Sequence, residues 1–348
     1  MDAHRIIGLA ALACAACPGA APAQVSSERA ASLVVFPKVI ADGTRDTLIQ
    51  LVSTASVVAY VHCWYTNAAP TFPELPPGPI NPPLWATEHF DLSLVKEQPI
   101  SFTAARGRPV DPLDAPCSRV PPQADCYGAG TDPGPIPAVP LGFSGELRCL
   151  QTDASGAPLS GNQLIGEATL IDAASGDAVK YSAVGVIGLE TNDGDDELRL
   201  GEEYAACPQQ LVLVNAPDGG EDEQLGSGST IATELTMVAC SSNLDAGEPT
   251  ALVVQVNAFN ELGQAFSAFA AVEGWRTLRL TDVSEVLGAE VLGGGVSQLR
   301  LRVSAGTASG MLAVAEETHV ASDGRRAGAA ANLHTVGARS AVDIITLP

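Results

Sequence analysis

Few side chains in this sequence have both the type and the spacing to do chemistry. Four histidines lie beyond the N-terminal segment: His62, His89, His319 and His334. None belongs to an H-x-x-x-H or H-E-x-x-H arrangement, so a zinc site would have to be assembled from distant strands. Gly226-Ser227-Gly228-Ser229 lacks the G-x-S-x-G spacing of a nucleophile elbow. Paired carboxylates could drive hydrolysis, and Glu316-Glu317 beside His319 is the adjacent pair at an expected strand end. Alternation along a strand would send those two side chains to opposite faces, which argues against joint action.

Two patterns suggest binding instead. Asn192-Asp193-Gly194-Asp195-Asp196-Glu197 packs hard oxygen ligands around a glycine turn, as calcium loops do, although the full D-x-[DN]-x-[DN]-G-x5-E pattern is missing. Asp218-Gly219-Gly220-Glu221-Asp222-Glu223 could contribute further ligands. The competing reading is a solvated acidic hinge. The second pattern is aromatic. If Cys63 points inward with Val61 and Tyr65, then Tyr60, His62 and Trp64 share the outer face, and Trp85 could lie nearby. Such a stripe is a surface for a sugar or a protein partner, unless a loop folds over it.

The elements expected to hold these residues are strands. Leu33–Phe36, Thr47–Val52 and Val57–Tyr65 are rich in β-branched and aromatic residues, and similar alternation runs from Trp85 to Phe102. Residues 68–84 hold seven prolines and 106–140 hold nine, out of 25 in the chain. Proline lacks the ladder donor and fixes φ, so both stretches read as long loops. Further strands are expected at Phe143–Gln151, Gln163–Ile171, Val179–Ile187, Ile231–Val238, Ala251–Phe259, Phe266–Val272, Thr277–Leu280, Gln298–Val303, Met311–Ala315 and Ala341–Leu347. The apolar order recurs: Leu48–Ser53 aligns with Leu235–Cys240, Val61–Asn67 with Val254–Asn260, and Gly145–Cys149 with Gly310–Val314. That recurrence predicts two similar β-modules, 30–190 and 205–348, joined by an acidic linker at 191–204.

Six cysteines follow the N-terminal segment, an even number that suits disulfides. In the alignment Cys63 and Cys149 fall where Val256 and Val314 stand, which predicts a buried cross-core bridge between them. Cys117 and Cys126 would staple the second proline-rich loop, and Cys207 and Cys240 pair by exclusion. The compartment follows from the start of the chain. Arg5, the apolar run Ile6–Ala16 and Ala21-Pro22-Ala23 read as a signal peptide over residues 1–23, with lipidation at Cys14 or Cys17 the less favoured alternative. A net charge of −22, from 40 acids and 18 bases, disfavours nucleic acid and anionic lipid. No later stretch has the roughly 18 apolar residues of a transmembrane span.

Phe36-Pro37-Lys38, Asp46–Gln50, Ser53-Thr54, Gly145-Glu146-Leu147, Gly161–Ala168 and Tyr181-Ser182-Ala183 together resemble exported bacterial proteins built from immunoglobulin-like β-sandwiches. The resemblance implies fold and compartment, and no catalytic residue. The expectation is an all-β chain of two tandem immunoglobulin-like antiparallel sandwiches, with long proline-rich loops in the first. It would act without catalysis as a binding or structural protein of the envelope or extracellular space, through loops 68–84 and 106–140. The partner would be a protein or glycan, and calcium is the one cofactor the pattern allows. The alternatives are a subunit of a surface assembly and a carbohydrate-active hydrolase.

Overall fold

The computed structural model describes residues 25–27, 29–72, 81–96, 98–109, 132–190, 193–337, 339 and 342–348. The expected signal peptide and the Cys117–Cys126 pair lie outside these residues. The strands are β1 (Val25–Ser26), β2 (Leu33–Ala41), β3 (Arg45–Ser53), β4 (Ala59–Asn67), β5 (Ala86–Leu94), β6 (Ile100–Thr103), β7 (Phe143–Thr152), β8 (Leu164–Asp172), β9 (Ala178–Ser182), β10 (Val184–Val186) and β11 (Glu197–Leu200). There follow β12 (Gln210–Asn215), β13 (Thr230–Ala239), β14 (Ser242–Asn243), β15 (Ala251–Phe259), β16 (Ala265–Glu273), β17 (Trp275–Arg279), β18 (Ser297–Gly306), β19 (Met311–Val320), β20 (Arg326–Asn332), β21 (His334–Thr335) and β22 (Asp343–Thr346). Among the described residues only short helical turns interrupt them, between Leu280 and Leu292.

The first unit has one antiparallel layer ordered β10-β2-β7-β4-β5 and another ordered β6-β3-β8-β9, joined at a corner where Ala41 pairs with Asp46. Period-2 burial explains the arrangement: along β3, Thr47, Ile49, Leu51 and Ser53 are buried while the residues between them are half-exposed. Ile49 and Leu51 meet Phe36, Val61, Tyr65, Leu147 and Phe143 from the facing layer in one core. In the second unit the layers are β21-β12-β18-β15-β16 and β17-β13-β19-β20, joined instead by the tight Glu273–Trp275 connection.

The two units share every one of these ladders. β4–β5, β4–β7, β2–β7, β2–β10, β3–β6, β3–β8 and β8–β9 correspond to β15–β16, β15–β18, β12–β18, β12–β21, β13–β17, β13–β19 and β19–β20. This corrects part of the sequence alignment. The counterpart of β7 is β18, not β19, so Cys149 corresponds to Leu301 and not to Val314. Leu48 is half-exposed while Leu235 is buried, so that pairing also shifts by one residue. A period of two makes such slips easy, because every second offset restores the apolar pattern.

The Cys63–Cys149 disulfide joins directly opposed residues of β4 and β7, with Cα atoms 4.1 Å apart. It bridges neighbours within one layer and does not cross the core, because β4 and β7 are paired strands. The corresponding residues of the second unit, Val256 and Leu301, also oppose each other and are fully buried. Cys207–Cys240 is the other disulfide among the described residues.

A third sheet, β11-β22-β14, lies between the units, with β22 antiparallel to β11 and parallel to β14. Segment 191–204, expected as a solvated linker, thus supplies a strand, because Leu198 and Leu200 alternate inward with Arg199 between them. Asp343–Thr346 joins this sheet rather than the second sandwich. Its apolar face covers Leu33, Val35, Trp64 and Leu150 on the outside of the first unit, together with Val238, Trp275 and Leu312 of the second. Of the two proline-rich loops the described residues include the bases, clipped by the bridges Pro70–Pro83 and Arg108–Ile136.

Candidate functional site

The third sheet decides what happens to the aromatic stripe. On β4, Val61, Cys63 and Tyr65 are buried in the first core, and Tyr60, His62 and Trp64 point outward. Trp64 and Trp85 are each only 4% exposed, so they are not an open binding platform. The seam between the units covers them, with the third sheet and Trp275 packed nearby. Trp85 lies so close to Gly274, where φ is +71°, that a Cβ there would collide with its ring. Tyr60 is half-buried.

His62 remains reachable, with 22% of its side chain exposed. It lines a cavity of about 280 Å³ with Trp64, His89, Thr152, Asp195 and Asp196. β4 and β5 pair so that His62 lies opposite Asp91 and Trp64 opposite His89. His62 Nδ1 is 2.8 Å from Asp91 Oδ1, and His62 Nε2 is 3.2 Å from His89 Nδ1. A carboxylate accepts only, so His62 carries its proton on Nδ1 and presents a lone pair at Nε2 toward His89. The Trp64 ring, its centroid 4.3 Å from that of His62, backs the imidazole.

The acidic turn is the other wall. Arg199 lies among its carboxylates: its guanidinium is 3.3 Å from Asp193, 3.0 Å from Asp195 and 2.9 Å from Glu197. Asp193 Oδ1 and Asp195 Oδ1 also accept the N–H groups of Asp195 and Glu197. Asp193, Asp195 and Glu197, the residues the sequence marked for calcium, thus each pair with Arg199. Asn192 lies outside the described residues. Asp196 differs from its neighbours: it is exposed, and its carboxylate makes no hydrogen bond or ion pair among the described residues while lining the cavity with the histidines.

The other candidates hold the molecule together. Glu316 and Glu317 do point to opposite sides of β19. Glu316 meets buried Lys38 at 2.7 Å and Arg45 at 2.7 Å, and Lys38 also pairs with Glu234. Burial alone would raise the Glu316 carboxyl; Lys38 and Arg45 outweigh it and hold the carboxyl below its usual range. Glu317 instead accepts the Ala216 N–H at 2.8 Å and contacts His319 Nε2 at 2.8 Å, while Asp222 contacts His319 Nδ1 at 2.7 Å. With both ring nitrogens engaged, His319 has no lone pair to offer and serves as a pin. Burial lowers its pKa, but Glu317 and Asp222 more than reverse this, and the net shift is upward. Asp218, far from forming a cation loop with Glu221 and Glu223, accepts from Thr233, Arg279 and Thr281.

Sequence reasoning overlooked the roles of His89 and Asp91. Their i, i+2 spacing shows that they share a strand face, but the register that sets them against His62 depends on a connection through the first proline-rich loop. Lys38, Arg45 and Glu234 were overlooked for the same kind of reason: their partners lie on the other unit.

No protein-family model and no curated protein matches the chain. Among solved structures, the chain is similar to that of naturally occurring empty particles, the top component, of cowpea mosaic virus, with 10% identity over 90% of this chain and 79% of that one and a TM-score of 0.19. Likeness at that level carries no argument about fold or activity.

Proposed function

We propose that this is an exported, non-catalytic binding or structural protein of the cell envelope or extracellular space, built from two tandem immunoglobulin-like sandwiches that arose by internal duplication. The fold-level support is the pairing of β3 with β6 and of β4 with β5 and β7, which follows the B–E, C–C′ and C–F neighbours of an immunoglobulin domain. The flanking strands depart from that pattern: β2 lies on β7 and β8 on β3, where an immunoglobulin domain has them the other way round.

The observation that carries the functional reading is the convergence of two rigid strands and an acidic turn on the cavity at His62, His89 and Asp196. It lies at the seam of a block cemented by buried ion pairs. A ligand site on such a frame suits capture, because the strands and the acidic turn that form it are held in place by their own pairing. The test has two parts. Cell fractionation should place the chain in the envelope or medium, oxidised at its cysteines. The labelled protein should bind isolated envelopes saturably, displaced by unlabelled chain. A reduced cytosolic chain, or uptake that never saturates, overturns the reading.

A further inference from the structure

The seam cavity has the chemistry of a small transition-metal site, and we propose that His62, His89 and Asp196 bind Zn²⁺ or a similar borderline cation there. The proposal rests on reading this cavity as a ligand site. The donors are imidazole nitrogens, which suit Zn²⁺, Cu²⁺ or Ni²⁺, whereas Ca²⁺ takes oxygen. His62 Nε2 and His89 Nδ1 are 3.2 Å apart. Two nitrogens bound to one tetrahedral Zn²⁺ at ordinary bond lengths are separated by about 3.3 Å, so both rings already stand at the edge length of such a site.

The surroundings are those of a metal-ligating histidine. Asp91 Oδ1 accepts from His62 Nδ1 at 2.8 Å, which fixes the ring orientation and the tautomer with its lone pair on Nε2. Trp64, packed against His62 and buried, limits the rotation of that ring. His89 is exposed, so binding requires only that its proton move from Nδ1 to Nε2 by exchange with water. The neutral imidazole then presents Nδ1 to the metal, with no net loss of a proton.

Two donors do not hold a metal tightly, and among the described residues no three His, Cys, Asp or Glu side chains already stand at ligand spacing. The third must swing in. Asp196 is the carboxylate on the facing wall that Arg199 leaves unengaged, and it lies on an exposed turn where a change of rotamer disturbs no packing. The remaining position would be taken by water or by a group of a partner. No other histidine among the described residues offers this: both nitrogens of His319 are held by carboxylates, and His334 lies on β21 in the second unit.

The experiment titrates Co²⁺, Zn²⁺ and Ca²⁺ into the full exported chain after chelator treatment. One equivalent of Co²⁺ should bind with the visible absorption of a tetrahedral ion, be displaced by Zn²⁺ and ignore Ca²⁺. His89→Ala and Asp196→Asn, both at exposed positions, should weaken Zn²⁺ at least tenfold with unchanged circular dichroism. Asp91→Asn should weaken it by about 10–100-fold, as loss of an outer-shell partner does. His334→Ala should bind as the parent does. Absence of saturable one-to-one binding, or undiminished affinity in His89→Ala, overturns the proposal. A chain that binds envelopes saturably but not metal keeps the functional reading and loses this one.

Discussion

Where the first unit has Cys63 opposite Cys149, the second has Val256 opposite Leu301, and the same register extends outward on each side. His62, Trp64, His89 and Asp91 then correspond to Gln255, Asn257, Ser267 and Phe269. In the first unit the third sheet and the seam cover much of this outer face. In the second it is open, with Phe269 60% exposed and Ser267 donating to Asn257 at 2.6 Å. One strand plan therefore carries two surfaces. The inward residues differ little in kind, since a disulfide and a Val–Leu pair both fill a core. The outward residues differ in what covers them, and the titratable cluster occurs only on the covered copy.

The sharpest way to break the comparison is to uncouple the units. Lys38 is fully buried between Glu234 and Glu316, so Lys38→Met removes their shared cation, leaving Glu316 with Arg45 alone and Glu234 to solvent, at a cost of about 1–3 kcal/mol. Urea unfolding should change from one transition to two. The carboxyl of Glu316 is held below its ordinary value, so its contribution is complete above about pH 4.5 and disappears as pH falls through the depressed value. That acid-side loss should shrink in Lys38→Met. A single unshifted transition would show that the units hold together without this cluster.

A smaller effect should follow from exchanging the two core devices. Cys63→Val with Cys149→Leu installs the second unit's pair in the first and should cost about 2–4 kcal/mol by chemical denaturation. The reverse exchange, Val256→Cys with Leu301→Cys, should oxidise spontaneously in air, read as a mass lower by one pair of hydrogens. If those cysteines stay reduced, the shared register is wrong.

The smallest effect concerns the second unit alone. His319 has a raised pKa because Glu317 and Asp222 outweigh its burial. Its stabilisation is therefore complete below about pH 6.5 and is lost as pH rises through the raised value. Hydrogen exchange in 216–229 should accelerate between about pH 6 and pH 8 relative to His319→Ala, while β2–β10 keep their protection. Equal behaviour of His319→Ala and the parent across that range would remove the pin.

Much of the strand plan was legible because burial along a strand has period two, and β3, β4, β15 and β16 display it without help from distant residues. Glu316 and Glu317 were assigned opposite faces for the same reason. The site was only half legible. Tyr60, His62 and Trp64 could be placed on one face, but whether that face met solvent depended on β11 and β22. These short strands are some 150 residues apart in the chain, and their pairing has no local signal.

The sequence by itself determined the all-β character, the alternation that sends each side chain in or out, and the recurrence of one apolar plan. All three follow from steric and hydration preferences acting over a few residues. Only the tertiary structure decided which strands are neighbours, that Arg199 neutralises the acidic turn, that Trp64 and Trp85 are enclosed, and that His62 meets His89. Those contacts join residues whose separation in the chain is arbitrary, and ladder hydrogen bonds between backbones are nearly indifferent to side-chain identity.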